Sequence, residues 1–294
     1  MFEYCADPSL LSGLKWLSCY LTTGTHFNFY RSFLTVLMLL AITAPVALAF
    51  GFFGAMAARS PVLPVSLLGR GYIAAVRGVP DIVYFLFFVI ALDQGIEWVK
   101  HLMVCEDLSQ PVWVGTEFRV CPAAKVPLAT SAAVWHSLYA SALAVFTFAL
   151  VFGAFAANVL YGAMQAVPRA QLETAEAYGM TQRQVFSRIL VPQMWVFALP
   201  GLSNLWLILI KATPLLFLLG IQDIVYWARE LGSAKTSGNN PYPHGDWRIF
   251  YFLALMVFYL SFTKLSEVVL ERLTRKLSSG QATMAGEALR KAGA

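Results

Sequence analysis

Long uncharged stretches set the plan of this chain. From Phe33 to Phe53 the residues are apolar on every side of a helix, and between Lys125 and Arg169 there is no Asp, Glu, Lys or Arg. A closed barrel would alternate polar and apolar positions over about ten residues per strand. Stretches apolar all round predict helices, the other way to satisfy a backbone inside lipid.

The pattern predicts five spans. The first runs about Phe33–Met56 and carries Pro45. The second is awkward, because its uninterrupted apolar part, Ile82–Leu92, has 11 residues where a span needs about 20. Its helix is therefore expected to begin near Tyr72 and to be broken at Arg77-Gly78-Val79-Pro80-Asp81. Such a break is tolerated at membrane depth only beside protein or a water-filled cavity. The third span lies within Val126–Val167. The fourth runs from Pro192 to about Gly220, with Pro200 and Pro214 inside it. The fifth covers Ile249 to about Leu270, with Lys264 snorkelling to the headgroups. Leu10–Leu21 is too short to span; with Lys15, Trp16 and Tyr20 it is expected to lie in the interface. The expected organisation is an N-terminal segment 1–30, a transmembrane domain 31–272 and a tail 273–294. Glu3 and Asp7 at the start, with no small-x-small site after an early apolar core, argue against a cleavable signal peptide.

Composition excludes the soluble alternative. Hydrophobic residues make up 59% of the 294 and charged ones 13%, with a mean hydropathy of +0.65, against roughly 25% charged in soluble domains. The charge distribution adds direction. Lys and Arg are richer after spans one and three (Arg59, Arg70, Arg77; Arg169, Arg183, Arg188) and in the tail than on the other side. The richer side is cytoplasmic, so the N-terminus faces out and the C-terminus in. The pI of about 9.0 is thus a topology signal and calls for no nucleic acid.

Candidate chemistry is sparse. There is no metal-ligand spacing, nucleophile elbow or Gly-rich phosphate loop, so no catalytic residue, metal or cofactor is expected on this chain. His26, His101, His136 and His244 are scattered singly and read as structural. Cys105 and Cys121 fall in the outer loop Asp93–Lys125, in an oxidising compartment if that side is a bacterial periplasm. A disulfide and two free thiols are both open.

The connection between spans three and four, 168–192, is more than a simple link. Its sequence, VPRAQLETAEAYGMTQRQVFSRILVP, reads as two short helices. One runs from about Arg169 to Tyr178 and ends at Gly179, a residue suited to the left-handed position. The other starts with Thr181 as N-cap and Gln184 three residues on, a capping box. Ala175 and Gly179 leave a face bare of bulk, with Glu173 at its edge. From the residues alone, a protein-docking segment and an amphipathic connector on the membrane surface are both open.

The segment resembles the EAA loop of bacterial ABC-importer permeases. Glu173, Thr174, Ala175, then Gly179, Ile189, Val191 and Pro192 stand at the family's spacing, with Thr174 and Val191 as conservative departures. Arg77-Gly78-Val79-Pro80, and the run Gly153-Ala154-Phe155 through Val167-Pro168, are similar to signatures of permeases for histidine, arginine, glutamine and opines. The resemblance implies an all-α, type I importer-like permease of about five helices in a bacterial inner membrane. Its expected partners are a second, non-identical permease subunit, two ATPase subunits that hold ATP and magnesium, and a periplasmic amino-acid-binding protein. Glu173, Ala175, Gly179, Ile189 and Pro192 are the implied ATPase-coupling residues. Asn158, Lys211 and Thr213 are candidates for the substrate path; plain helix packing is the favoured reading of Asn158, and snorkelling to the outer surface is equally open for Lys211. Asn158 stands where the family commonly has an acid, and Lys211-Ala212-Thr213 where it usually reads Lys-Asp-Thr. An ion-coupled secondary carrier, the alternative, would show a repeated half and intramembrane acids. Neither is found.

Overall fold

The computed structural model describes residues 5, 11–75, 79–107, 112–219, 221–236 and 240–278. A short helix, α1 (Gly13–Leu21), leads into the 36-residue α2 (Gly24–Arg59), which carries Pro45 inside it. They are followed by α3 (Leu63–Ala75), α4 (Asp81–Val104), a two-stranded hairpin of β1 (Trp113–Val114) and β2 (Glu117–Phe118), and α5 (Ala133–Ala166). After α5 come α6 (Arg169–Ala177), α7 (Gln182–Val185) and α8 (Val191–Ala212), a 3₁₀ segment Thr213–Leu219, α9 (Ile224–Gly232) and α10 (Arg248–Ser278).

Five of these helices are long and apolar enough to cross a membrane: Gly24–Arg59, Asp81–Val104, Ala133–Ala166, Gln182–Phe217 and Arg248–Leu277. Five crossings among the described residues put α1 and the end of α10 on opposite sides of a membrane, the arrangement that the Lys/Arg excess predicts with α10 ending in the cytoplasm.

The first span is longer than its apolar core, so the expected boundary at residue 30 falls inside α2, and α10 continues past 272 to Ser278. The second span differs most. It is not entered from Tyr72: that residue belongs to a separate helix, α3, and α4 starts at Asp81. The Arg77-Gly78 break lies outside the described residues. The missing length is gained at the other end, where α4 runs through Asp93, Glu97 and Lys100 instead of stopping at Leu92. Those polar groups are satisfied. Tyr139 Oη donates to Asp93 Oδ1 at 2.8 Å. The buried Glu97 carboxylate accepts from Lys125 Nζ at 2.7 Å and from the Val126 amide at 3.3 Å. A helix read by apolarity alone ends where its first charged residue appears, even when the fold supplies that charge with a partner.

Two compact units share the helices. One comprises Met1–Ala41, Val89–Ala144 and Lys211–Ser261; the other comprises Ile42–Phe88, Val145–Ile210 and Phe262–Ala294. In the second, Gly51 faces Ala156 so closely that a Cβ at Gly51 would lie 2.6 Å from the alanine's. Small residues here let α2 and α5 approach backbone to backbone, the usual device where lipid provides no hydrophobic drive between helices. Phe85 of α4 stacks on Phe148 of α5 with ring centroids 4.2 Å apart.

In the first unit Cys105 and Cys121 are joined as a disulfide, with Cα atoms 6.3 Å apart. A second disulfide, Cys5–Cys19, was not expected from the sequence. Nor were the histidine partnerships. His26 and His244, far apart in sequence, enter one hydrogen-bonded network with Tyr20 and Tyr251. His101 is buried beside Cys105 and Cys121. The paired sulfurs have no thiolate to give a metal.

Candidate functional site

The segment between α5 and α8 lies wholly within the second unit, and its inner face is tied to three spans. Leu190 is buried in a cluster with Ala55 of α2, Leu160, Met164 and Val167 of α5 or its end, and Met194 and Ala198 of α8. Leu172 and Phe186 pack against the same cluster. The segment is thus packed directly against side chains of α2, α5 and α8, with little free volume between them.

The turn between its two helices is closed by backbone bonds alone. α6 ends at Ala177 with Tyr178 as C-cap. Gly179 follows at φ +83°, its amide donating to the Glu176 carbonyl at 2.9 Å, and the Met180 amide donates to the Ala175 carbonyl at 3.1 Å. This is a complete Schellman motif, whose left-handed residue favours glycine. A Cβ at Gly179 would meet nothing within 4 Å, so the requirement for glycine inside this chain is conformational rather than steric. The capping box is formed as expected. Gln184 N donates to Thr181 Oγ1 at 3.4 Å, and Thr181 N donates to Gln184 Oε1 at 2.9 Å. Gln182 Nε2 donates to Glu176 Oε1 at 2.6 Å and braces one helix against the other.

α7 lasts only four residues before a π-helical turn, Phe186–Leu190, leads into α8. Pro192 accounts for the wider turn: it has no amide to give the Arg188 carbonyl, and its ring crowds that carbonyl. The fourth span therefore starts at Gln182 rather than at Pro192, and Pro192 sits inside a continuous helix.

Of the residues expected at this site, Glu173, Gly179 and Pro192 are exposed and Ile189 is half-buried. Ala175 departs from expectation. It is buried, 7% exposed, with its carbonyl accepting from the Met180 amide, and so it does not share a bare outer face with Gly179. Tyr178 was missed: it is 85% exposed beside Gly179. Only its place at the C-cap, where α6 stops turning inward, signalled this.

The expected substrate-path residues divide between the units. Asn158 is half-buried in α5, in the second unit. Lys211 and Thr213 belong to the first. Lys211 is exposed at the end of α8, whereas Thr213 is buried with its hydroxyl 2.8 Å from that of Tyr259. A groove the sequence gave no reason to expect runs between α8 and α10 within the second unit. It has a volume of about 470 Å³ and is lined by Ser203 and Asn204 on one side and Glu267, Glu271 and Arg275 on the other. Outside the spans, burial pushes the carboxyl of Asp223, the N-cap of α9, up to about 6.

The chain is similar to several known proteins. Residues 51–279 match the family described as binding-protein-dependent transport system inner membrane component. The histidine/lysine/arginine/ornithine transport system permease protein HisQ of Escherichia coli is 32% identical over 244 residues, 82% of this chain and 90% of that protein. The arginine ABC transporter permease protein ArtQ of Escherichia coli is 28% identical over 78% of this chain and 85% of its own. The octopine transport system permease protein OccQ of Rhizobium radiobacter is 28% identical over 65% and 69%. A solved amino acid ABC transporter with histidines matches at TM-score 0.58 and 20% identity, over 90% of this chain and 100% of that one. At that identity the likeness is one of fold.

Proposed function

Because the chain belongs to the family of binding-protein-dependent transport system inner membrane components, we propose that it is the channel-forming permease subunit of an ATP-driven importer for a polar amino acid or an opine-like derivative. The observation that carries this reading is the segment 168–192. A Schellman turn at Gly179 and a capping box at Thr181 hold its outer residues Glu173, Tyr178 and Gly179 open to a partner, while Leu172, Phe186 and Leu190 tie its inner face to three spans. Such a part transmits motion and performs no chemistry of its own. ATP and magnesium belong on two partner ATPases, which dock on this segment. A second permease subunit completes the channel, and a periplasmic amino-acid-binding protein delivers the substrate in a bacterial inner membrane.

The amino-acid class follows from the relatives named above. Lys211 and Thr213 of the first unit, and separately Asn158 of the second, are each assigned as substrate-path residues; the Thr213 hydroxyl is paired with that of Tyr259. The test is reconstitution in proteoliposomes with the partner permease, the ATPase and the binding protein. Uptake of a polar amino acid that requires ATP and the binding protein supports the reading. Uptake driven by a proton or sodium gradient without ATP overturns it in favour of an ion-coupled carrier.

A further inference from the structure

Helix α1 is apolar on two opposite faces. At 100° per residue, Trp16, Cys19 and Tyr20 share one side and Leu14, Leu17 and Leu21 the other. The first side is held firmly. Cys19 is bonded to Cys5, and Trp16 and Tyr20 pack with Tyr242 and Trp247. The Tyr20 hydroxyl sits in a network of hydrogen bonds. Gly245 O can only accept, so His244 Nδ1 donates to it at 2.7 Å; His244 Nε2 lies 3.0 Å from Tyr20 Oη, which also donates to the Leu231 carbonyl at 3.4 Å. Tyr251 Oη donates to Tyr20 Oη at 3.2 Å and lies 2.7 Å from His26 Nε2. The orientation of α1 is thus fixed by a covalent tie, ring packing and a polar network.

The second side is bare. Leu14 is 84% exposed, and Leu17 and Leu21 are 39% exposed each. Three leucines on a helix clamped in one orientation need a cover other than water, and the structure indicates which. The Tyr30 hydroxyl donates to the Leu21 carbonyl at 3.1 Å, joining the end of α1 to the exposed stripe of α2. That stripe continues through Phe27, Tyr30, Leu34, Met38 and Ile42 at helical spacing, all exposed, and it lies on a helix apolar enough to span. The leucine face of α1 is the continuation of this lipid-facing surface, with aromatic residues at the junction, where interfacial rings prefer to sit.

We propose that α1 is a clamped interfacial helix whose Leu14, Leu17 and Leu21 are immersed in the acyl boundary of the outer leaflet, with lipid as the occupant of that face. The inference rests on the reading of α2 as a span and is independent of the transported substrate.

All four cysteines are in disulfides, so a single introduced thiol can be labelled selectively in the full chain in phospholipid vesicles. Nitroxides would be placed at Leu14→Cys, at Leu17→Cys and, as a water-facing control, at Lys15→Cys. Collision rates with oxygen, which concentrates in lipid, and with a water-soluble nickel chelate are then compared. The expected result is an oxygen-to-nickel ratio at 14 and 17 at least several-fold above that at 15. A ratio at 14 and 17 equal to that at 15 overturns the proposal, placing the face in water. Low collision with both reagents also overturns it, since a protein partner would then cover the leucines.

Discussion

Two connections between spans are built on different principles. The one from α4 to α5 is locked: a disulfide joins Cys105 to Cys121, buried Glu97 grips Lys125 and the Val126 amide, and Lys100 Nζ donates to the Lys125 carbonyl at 2.9 Å. The one from α5 to α8 has no covalent tie. Its shape comes from a left-handed glycine, a capping box and an apolar inner face. The locked connection carries its partners within itself, while the other leaves Glu173, Tyr178 and Gly179 turned outward. The proposed docking role asks for rigid local shape and a free outer surface, and backbone capping supplies the first without consuming the second.

The comparison is broken most severely at Gly179. Gly179→Val places a β-branched residue at φ +83°, where the left-handed region costs roughly 1–2 kcal/mol, and adds bulk on the docking face. ATP-driven uptake in proteoliposomes should fall by on the order of tenfold or more, since 1.4 kcal/mol is a factor of ten. Gly179→Asn, which tolerates this region better, should retain more uptake. Equal, wild-type uptake by both would remove the coupling role from this turn.

The locked connection should respond in stability and not in coupling. Replacing Cys105 and Cys121 with Ser together is expected to remove about 3 kcal/mol for a loop of this size in the chain-entropy model. Faster amide exchange or proteolysis across 105–121, with the ATP cost per substrate unchanged, is the expected pattern. A changed coupling ratio would mean that the two connections are not separate in function.

Ala175 distinguishes the inner face of the moving segment from its outer one. Ala175→Leu overfills a buried position and should lower folded-state stability by about 1–3 kcal/mol, visible as a lower midpoint in detergent melts. Glu173→Ala, on the exposed side, should leave the melt unchanged and weaken ATPase co-purification. If Ala175→Leu melts like the wild type, the residue is not packed as described.

A third connection, at Asp223, responds to pH instead. Its folded-state carboxyl lies at about 6 against an ordinary 3.8, raised by burial. Between those values the native state holds a proton the unfolded chain has released. This contribution is complete below about 3.8 and is lost as pH rises through about 6, with a slope of at most about 1.4 kcal/mol per pH unit. Asp223→Asn keeps an acceptor for the Val225 and Tyr226 amides and removes the titration, so its melting point should vary less between pH 4 and 7. An unchanged pH profile would assign the dependence to another group.

The resemblance to ABC permeases, and with it the candidate site, was legible because the relevant signals are local. The turn at Gly179 and the capping box are set by residues within a few positions of one another. Ala175 was misread for the complementary reason: whether a small residue is bare or buried depends on what the rest of the fold places over it. The end of α4 was misread because Glu97 is matched by Lys125, 28 residues away.

The number of spans, their apolar cores and the topology, though not the ends of the second and fourth spans, needed only the sequence. Apolar length against bilayer thickness and the sidedness of Lys and Arg are sums over segments, and such sums do not depend on which helix packs against which. The partners of Cys19, of His26 and His244, and of Glu97 were decided only in the tertiary structure. So were the burial of Thr213 against Tyr259 and the exposure of Tyr178. Each is a pairing or an orientation across chain distances at which composition carries no phase, and packing alone determines which side chain meets which.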